Sequence, residues 1–207
     1  MSSTEHISAT HVHRDDIGAR MGMWLFLFTE LLLFGGMFIL YSVYRFQYAD
    51  DFHLAAKELN TILGAFNTAV LLTSSLTMAL SIIAIQRDQK TLSLFLQVIT
   101  IVLALFFLVN KYFEWTAKFH HDIYPGSEEL LSKSSGEILF FGLYYVMTGL
   151  HGIHVIVGMF LIAIMARMTR RGTITHDNYV RLENTGLYWH LVDIIWIFLF
   201  PLFYLIT

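Results

Sequence analysis

The stretch ILFFGLYYVMTGLHGIHVIVGMFLIAIMA, residues 138–166, decides the fold of this 207-residue chain. Apart from two histidines it has no acidic or basic side chain. An apolar helix needs about 20 residues to cross a bilayer, and this stretch is longer than that. A strand of a membrane barrel would alternate apolar and polar residues at every second position, and this stretch does not. It therefore predicts a transmembrane helix.

Four more apolar runs of similar length lie on either side of this stretch. Together the five runs predict helices at about 21–44, 62–85, 92–113, 138–166 and 187–206. The fold class that follows is all-α, a polytopic membrane helical bundle with five transmembrane helices. We expect a polar, mobile N-terminal tail at 1–20 and a five-helix transmembrane domain at 21–207.

The composition agrees with an integral membrane protein and excludes several other classes. Hydrophobic residues make up 56% of the chain and charged residues only 14%, well below the roughly 25% usual in soluble domains. The net charge of −3, without a basic stripe, argues against nucleic acid as a partner. The chain has no cysteine, which excludes disulfides, thiolate metal ligands and a cysteine nucleophile.

Five crossings place the two termini on opposite sides of the membrane. Lysine and arginine are enriched in the cytoplasmic segments of membrane proteins. Eight of them fall in the tail and in the loops after helices two and four, against five on the other side. The larger group includes the cluster Arg167, Arg170 and Arg171. This bias predicts the N-terminus inside and the C-terminus outside.

Several polar or ionisable side chains lie in or beside the predicted helices, where an unpaired charge is costly. Helix two carries Asn67, Ser74 and Ser81 at seven-residue spacing, which predicts a packing seam against another helix, with a substrate path as the alternative. A second set is expected to form a buried polar network between helices four and five. Its members are His151, His154, Glu183, His190 and Asp193.

The histidines of this network allow two interpretations. One imidazole from each helix could hold a haem through two axial nitrogens, as in membrane cytochromes of the b type. Alternatively, the histidines are structural, with Asp193 fixing a tautomer and tyrosine or tryptophan side chains supplying donors. The spacing of the residues is compatible with both interpretations.

Glu30 is a candidate buried carboxyl in helix one. It lies roughly 12 to 14 Å from the start of that helix, at 1.5 Å per residue. Because desolvation disfavours the charged form, we expect Glu30 to be protonated near neutral pH unless a cation or water reaches it. It would then act as a structural hydrogen-bond donor or as a proton carrier.

Four segments, in order along the chain, resemble subunit III of haem-copper oxidases. They are GMWLFLFTEL at 22–31, NTAVLLTSSLT at 67–77, GLHGIHVIVG at 149–158 and YWHLVDIIWIFLF at 188–200. KYFEW at 111–115 is similar to the acidic-aromatic segment of that family, and Glu183 takes the place of a family glutamate. The resemblance covers nearly the whole chain after the tail and points to the shorter, five-helix form of the family.

The resemblance implies an accessory subunit without redox chemistry of its own. In such an oxidase the haems and copper belong to partner subunits, so this chain is expected to bind phospholipid and no redox cofactor, and its histidines become structural. The implied role is to bind phospholipid in a cleft and to support assembly, stability and proton uptake of catalytic subunit I, its main contact. The implied location is a bacterial inner (cytoplasmic) membrane.

The resemblance also assigns roles to individual residues. Glu30 would be the family's buried, carbodiimide-reactive carboxyl near the lipid cleft. Arg167, Arg170 and Arg171 become candidates for binding lipid headgroups, which agrees with the attraction of basic helix ends to anionic lipid. In the tail, His6, His11 and His13 are a candidate proton antenna for an uptake path in subunit I, with a solvated tail without function as the alternative.

Three other functions are alternatives to an oxidase subunit. They are a bis-histidine haem b membrane anchor, the homologous accessory subunit of a nitric oxide reductase, and a small transporter. A transporter should show broken or inverted-repeat helices around a midplane site, and the sequence has no convincing internal repeat.

Overall fold

The structure is a computed structural model that describes residues 16–120 and 122–206. These residues form seven helices and no strand. The helices are α1 (Asp16–Gln47), α2 (Ala49–Ala56), α3 (Thr61–Gln86), α4 (Lys90–His120), α5 (Glu128–Ser132), α6 (Ser135–Arg170) and α7 (Val180–Tyr204). Of these, α1, α3, α4, α6 and α7 are long and apolar enough to span a membrane. The predicted all-helical membrane bundle with five spanning helices is confirmed, whereas its orientation stays a prediction.

The spanning helices extend beyond the apolar runs because polar residues form their end turns. At the start of α6 the Ser134 hydroxyl accepts from the Glu137 N–H, and the Glu137 carboxylate accepts from the Ser134 N–H. This capping box satisfies two amide groups that lack a helical partner. Asn60 caps α3 in a similar way. At the other ends, α1 already begins at Asp16 and α4 continues to His120.

Four helices, α3, α4, α6 and α7, pack into a bundle with an aromatic core. Trp189 and Trp196 of α7 are fully buried. Trp189 lies against Gly158 of α6, where an added Cβ would come within 2.7 Å of the indole ring. Glycine at this point lets the two helices approach closely, as small residues do at helix interfaces in membranes.

The polar seam of α3 faces the interior of this bundle. Asn67, Ser74 and Ser81 are all fully buried. The Asn110 amide of α4 donates to Asn67 at 2.9 Å, and the Trp189 indole N–H donates to Ser74 at 3.2 Å. Interhelical hydrogen bonds of this kind hold membrane helices together. The seam therefore serves the packing of α3 against α4 and α7.

The first helix, α1, lies outside the four-helix bundle. Polar contacts spaced along its length attach it to α6 and α7, among them a hydrogen bond from the Asn184 amide to the Ala19 carbonyl at 3.1 Å. Others are an ion pair of Arg20 with Glu183 at 2.7 Å, a contact of Glu30 with His154 at 2.9 Å, and a hydrogen bond from the Tyr41 hydroxyl to the Leu202 carbonyl. Much of the remaining surface of α1 is apolar and exposed, with Trp24 at 62% and Phe28 at 58%. This face is available to lipid or to a partner.

Candidate functional site

A contact between Glu30 of α1 and His154 of α6 lies within the membrane-spanning part of the protein. His154 Nε2 is 2.9 Å from Glu30 Oε2, and both side chains are about 15% exposed. Phe34 packs edge-on against the imidazole, with ring centroids 5.3 Å apart, and the Tyr188 hydroxyl donates to the His154 carbonyl at 3.2 Å. The sequence identifies both residues as buried but does not pair them, since they are far apart along the chain.

The hydrogen bonds of His154 determine how the pair shares its protons. Nδ1 lies 2.8 Å from the Leu150 carbonyl oxygen, which can only accept, so Nδ1 carries a hydrogen. Nε2 therefore either accepts from a protonated Glu30 or, in an imidazolium, donates to the Glu30 carboxylate. In both forms the pair is neutral overall. The contact can thus exchange one proton between its two atoms without placing net charge in the membrane.

His190 and Asp193 lie on α7 beside the α3 seam. His190 Nδ1 is 2.6 Å from the Ser75 hydroxyl of α3. Asp193 is 3% exposed, and among residues 16–120 and 122–206 no hydrogen bond of normal geometry reaches either of its carboxyl oxygens. These side chains therefore belong to the α3–α7 interface and not to the Glu30–His154 contact.

His151 lies in an aromatic enclosure. Its fully buried ring is edge-on to Phe107 at a centroid distance of 5.7 Å and lies 5.3 Å from the Trp196 ring. Neither ring nitrogen has a hydrogen-bond partner in the described part of the chain. Within that part, no three His, Asp or Glu side chains are grouped so that they could hold a metal ion. The structure thus distributes the three histidines over separate environments.

The remaining predicted site residues lie nearer the ends of the helices. Glu183, in the first turn of α7, forms the ion pair with Arg20 that was described above. Arg167, Arg170 and Arg171 are exposed and together line a cavity of about 400 Å³ at the end of α6. Guanidinium groups bind phosphate oxygens well, so this cavity suits a phosphate group. The predicted antenna residues His6, His11 and His13 lie outside the described residues.

A densely bonded polar site that sequence reasoning missed joins α4, α6 and α7. We call Lys111, Glu114, Tyr144 and Tyr204 the ammonium cluster. The Lys111 ammonium donates to Glu114 at 3.2 Å, to the Tyr144 hydroxyl at 3.1 Å and to the Tyr204 hydroxyl at 2.7 Å. Both tyrosine hydroxyls donate to Glu114 Oε1, at 2.6 and 2.5 Å. All three N–H groups of the ammonium are therefore satisfied.

The ammonium cluster is buried and electrically balanced. Lys111 and Glu114 are each 8% exposed, and the ammonium also lies 5.2 Å from the centre of the Trp196 ring, a cation–π distance. A buried ion pair is tolerated when further hydrogen bonds satisfy both partners, as they do here. The cluster links the three spanning helices α4, α6 and α7.

The sequence contained part of the signal for this cluster. Lys111 and Glu114 are three residues apart within KYFEW, a spacing that places both on one helix face. The predicted helix ends at residue 113, two residues after Lys111, so Lys111 is expected at a helix end, whereas α4 continues to His120. The tyrosines come from α6 and α7, and no local pattern connects them to Lys111.

Comparison with known proteins gives one consistent result. The chain matches the family described as Cytochrome c oxidase subunit III over residues 1–207. It is 29% identical to cytochrome c oxidase subunit 3 of Thermostichus vulcanus, over 97% of this chain and 94% of that protein. It is 34% identical to cytochrome c oxidase subunit 3 of Alkalihalophilus pseudofirmus, over 89% and 85% of the two chains. It is also 30% identical to the heme-copper oxidase subunit I+III of Aeropyrum pernix, over 90% of this chain and 22% of that longer protein.

Proposed function

Since the chain belongs to the cytochrome c oxidase subunit III family, we propose that it is the accessory, non-redox subunit of a respiratory haem-copper oxidase. The predicted family is confirmed by the match over the whole chain, and the predicted membrane location agrees with the five spanning helices. Electron transfer to oxygen would then take place on haem and copper held by partner subunits.

The bonding of the histidines is the observation that supports a non-redox role. His154 has both ring nitrogens engaged, by Leu150 and Glu30, and His190 bonds to Ser75 through Nδ1. Both imidazoles thus form hydrogen bonds with groups of the chain's own helices, which is a structural role. A pair of haem ligands would instead need two imidazoles directed at a common centre.

Subunit I is the proposed main partner. The relative from Aeropyrum pernix is named as a fusion of subunits I and III, so in that protein both parts are made as one chain. The outer face of α1, with Trp24, Phe28 and Leu31 all more than half exposed, is an apolar surface of the kind that a neighbouring membrane subunit would cover. We propose that subunit I contacts this face of α1 or another lipid-facing side of the bundle.

Phospholipid binding is the second part of the proposal. The cavity between Arg167, Arg170 and Arg171 offers three guanidinium groups at a helix end, where lipid phosphates lie. Glu30 would lie deeper, beside the acyl chains of such a lipid. Bound lipid at this position would stabilise the assembled complex.

Support of proton uptake is the third part. The Glu30–His154 pair can pass one proton between its carboxyl and imidazole groups without a change in net charge, as its hydrogen bonds allow. In the tail, His6, His11 and His13 remain a predicted antenna. Replacing these three histidines by asparagine should slow turnover at high pH, and unchanged turnover there would contradict the antenna.

Co-purification with a measurement of turnover tests the proposed function. The tagged chain should bring down a haem-containing subunit I, and a complex purified without the chain should lose oxygen-consuming activity sooner during continued turnover. Glu30→Gln should accelerate that loss, whereas Glu128→Gln, at an exposed position in α5, should not. A tagged chain that recovers no subunit I would contradict the proposal.

A further inference from the structure

A strip along the outer side of α7 lies between α1 and α3, and both of these helices pack on α7. On the α3 side, the Trp189 and Trp196 indoles donate to hydroxyl groups of α3. On the α1 side, the Leu202 carbonyl accepts from Tyr41. The positions of α7 that point between these two directions recur every three or four residues, and all of them are at least partly exposed. They are Leu187, His190, Ile194, Ile197 and Pro201, which we call the α7 strip.

The α7 strip is apolar except for one imidazole. Ile194 and Ile197 are 48% and 40% exposed. His190 is half-buried, and its Nδ1 lies 2.6 Å from the Ser75 hydroxyl, which fixes the orientation of the ring. Nε2 of the same ring has no hydrogen-bond partner among residues 16–120 and 122–206, and those residues do not enclose it. The strip therefore presents one unused hydrogen-bonding nitrogen at its surface.

His190 lies near the middle of the membrane. At a rise of 1.5 Å per residue, His190 and Ser75 lie about 15 to 17 Å from the ends of their helices at Val180 and Gln86. The hydrocarbon core is about 30 Å thick, so the headgroups are about 15 Å from its centre. Acyl chains have no hydrogen-bonding group, so lipid cannot satisfy Nε2 at this depth. Because an unsatisfied polar group is costly there, Nε2 calls for a partner with a polar group at the same depth.

Exposed hydroxyl groups elsewhere on the spanning helices bond within their own helix. The Thr73 hydroxyl of α3 donates to the Ala69 carbonyl at 2.8 Å, and the Ser42 hydroxyl of α1 donates to the Phe38 carbonyl at 2.8 Å. Bonds of this kind let a polar side chain face lipid without an outside partner. His190 differs because Ser75 engages one ring nitrogen and leaves the other at the surface.

We propose that the α7 strip is the docking site for a transmembrane helix of a neighbouring membrane subunit, which offers a hydroxyl or amide side chain to His190 Nε2. Such groups both donate and accept, so they fit either tautomer of the imidazole, and they carry no charge into the membrane. The strip is about 21 Å long and has aliphatic side chains at helical spacing, as the packing of one helix on another requires. The inference rests on the proposed function, because it needs a membrane complex, and it adds the face and the chemistry of one contact.

Photo-crosslinking in native membranes tests this contact. p-Benzoylphenylalanine replaces Ile194 in the tagged full-length chain, the membranes are illuminated, and mass spectrometry identifies the crosslinked peptides. The crosslink yield is compared between the chain with His190, the variant His190→Phe and the matched control Thr73→Val. The control removes a hydroxyl at nearly the same depth, on the side of α3 that faces away from Ser75. The haem content of the tagged complex is measured separately.

We expect the chain to crosslink from position 194 to a transmembrane segment of another subunit, near a serine, threonine, asparagine or glutamine of that segment. His190→Phe should lower the yield about fivefold, as the loss of one interhelical hydrogen bond predicts, and Thr73→Val should leave it unchanged. Crosslinks only to lipid, to this chain itself or to a segment without such a residue would overturn the docking site. An unchanged yield in a folded His190→Phe would also overturn it.

Two further outcomes are decided by the same measurements. If His190→Phe does not fold, the segment that is crosslinked to the chain with His190 decides between the docking site and its absence. Failure of this inference and failure of the proposed function are distinguishable. A haem-containing complex without the expected crosslink would contradict the docking site alone. The expected crosslink in a complex without haem would uphold the docking site and contradict the proposed function.

Discussion

His154 Nε2 lies 2.9 Å from Glu30 Oε2, and this contact joins the middle of the outlying helix α1 to the four-helix bundle. Because Nδ1 of the same ring donates to Leu150, the pair works only if a hydrogen lies between Nε2 and the carboxyl. The contact therefore depends on a donor at position 30 or on a protonated imidazole.

Substitutions at Glu30 should separate the structural part of this contact from its proton. Glu30→Leu leaves Nε2 without a partner in an apolar setting and should lower the free energy of unfolding by about 1 to 2 kcal/mol. Glu30→Gln can still donate an amide hydrogen to Nε2 and should be close to the unmodified protein. Unfolding in mixed micelles of detergent and sodium dodecyl sulfate measures both. Equal stability of Glu30→Leu and the unmodified chain would show that the contact does not hold α1.

The ammonium cluster should be sensitive to the loss of one charge. Lys111→Met leaves the Glu114 carboxylate buried without its cation, and we expect a loss of about 3 to 5 kcal/mol in the free energy of unfolding. The double variant Lys111→Met with Glu114→Gln removes both charges and should recover part of that loss. Lys57→Met, an exposed lysine, is the control and should change little. Glu114→Gln alone completes the comparison. If the stability losses of Lys111→Met and Glu114→Gln simply add in the double variant, the two residues are not coupled.

Two glycines of α6 should respond differently to alanine. Gly158→Ala would place a Cβ within 2.7 Å of the Trp189 ring, so we expect a loss of about 1 to 3 kcal/mol in the free energy of unfolding. At Gly152 an added Cβ meets nothing within 4 Å, and Gly152→Ala should be neutral or slightly stabilising because alanine favours helices. Unfolding titrations of both variants check the difference. A larger loss at Gly152 would contradict the packing of α6 against α7.

The arginine cavity should control the retention of anionic lipid. Replacing Arg167, Arg170 and Arg171 by glutamine should weaken binding of dioleoylphosphatidylglycerol by about 1 kcal/mol for each arginine that contacts the headgroup. Replacing Arg87, an exposed arginine in the loop after α3, is the control. Lipid extraction and quantification from the purified protein give the measurement. If the triple variant retains as much lipid as the unmodified protein, this cavity does not bind the lipid and that part of the proposed function is wrong.

The sequence predicts the membrane-spanning architecture well because each spanning helix must satisfy its own backbone and face lipid or other helices. The long apolar runs therefore predict all five spans, and the seven-residue spacing of Asn67, Ser74 and Ser81 predicts the buried seam. The ends of the helices are harder to predict from the sequence. Polar caps such as Ser134 and buried lysines such as Lys118 extend the helices past the apolar runs.

The sites depend on contacts between distant parts of the chain, which local patterns do not contain. The sequence identifies Glu30 and His154 separately, and the structure pairs them. The sequence also groups His151 with His190. The structure places His151 in an aromatic enclosure and His190 against Ser75. Such pairing follows from the rotation and packing of whole helices, which depend on all their contacts together.

A reduced-minus-oxidised visible spectrum tests the proposed non-redox role most directly. It is recorded on the chain purified alone in mild detergent and on the complex recovered through the same tag. We expect haem bands in the complex and none in the isolated chain, because the haems would belong to partner subunits. Haem bands in the isolated, correctly folded chain would contradict that role and would make His151, His154 and His190 candidate ligands.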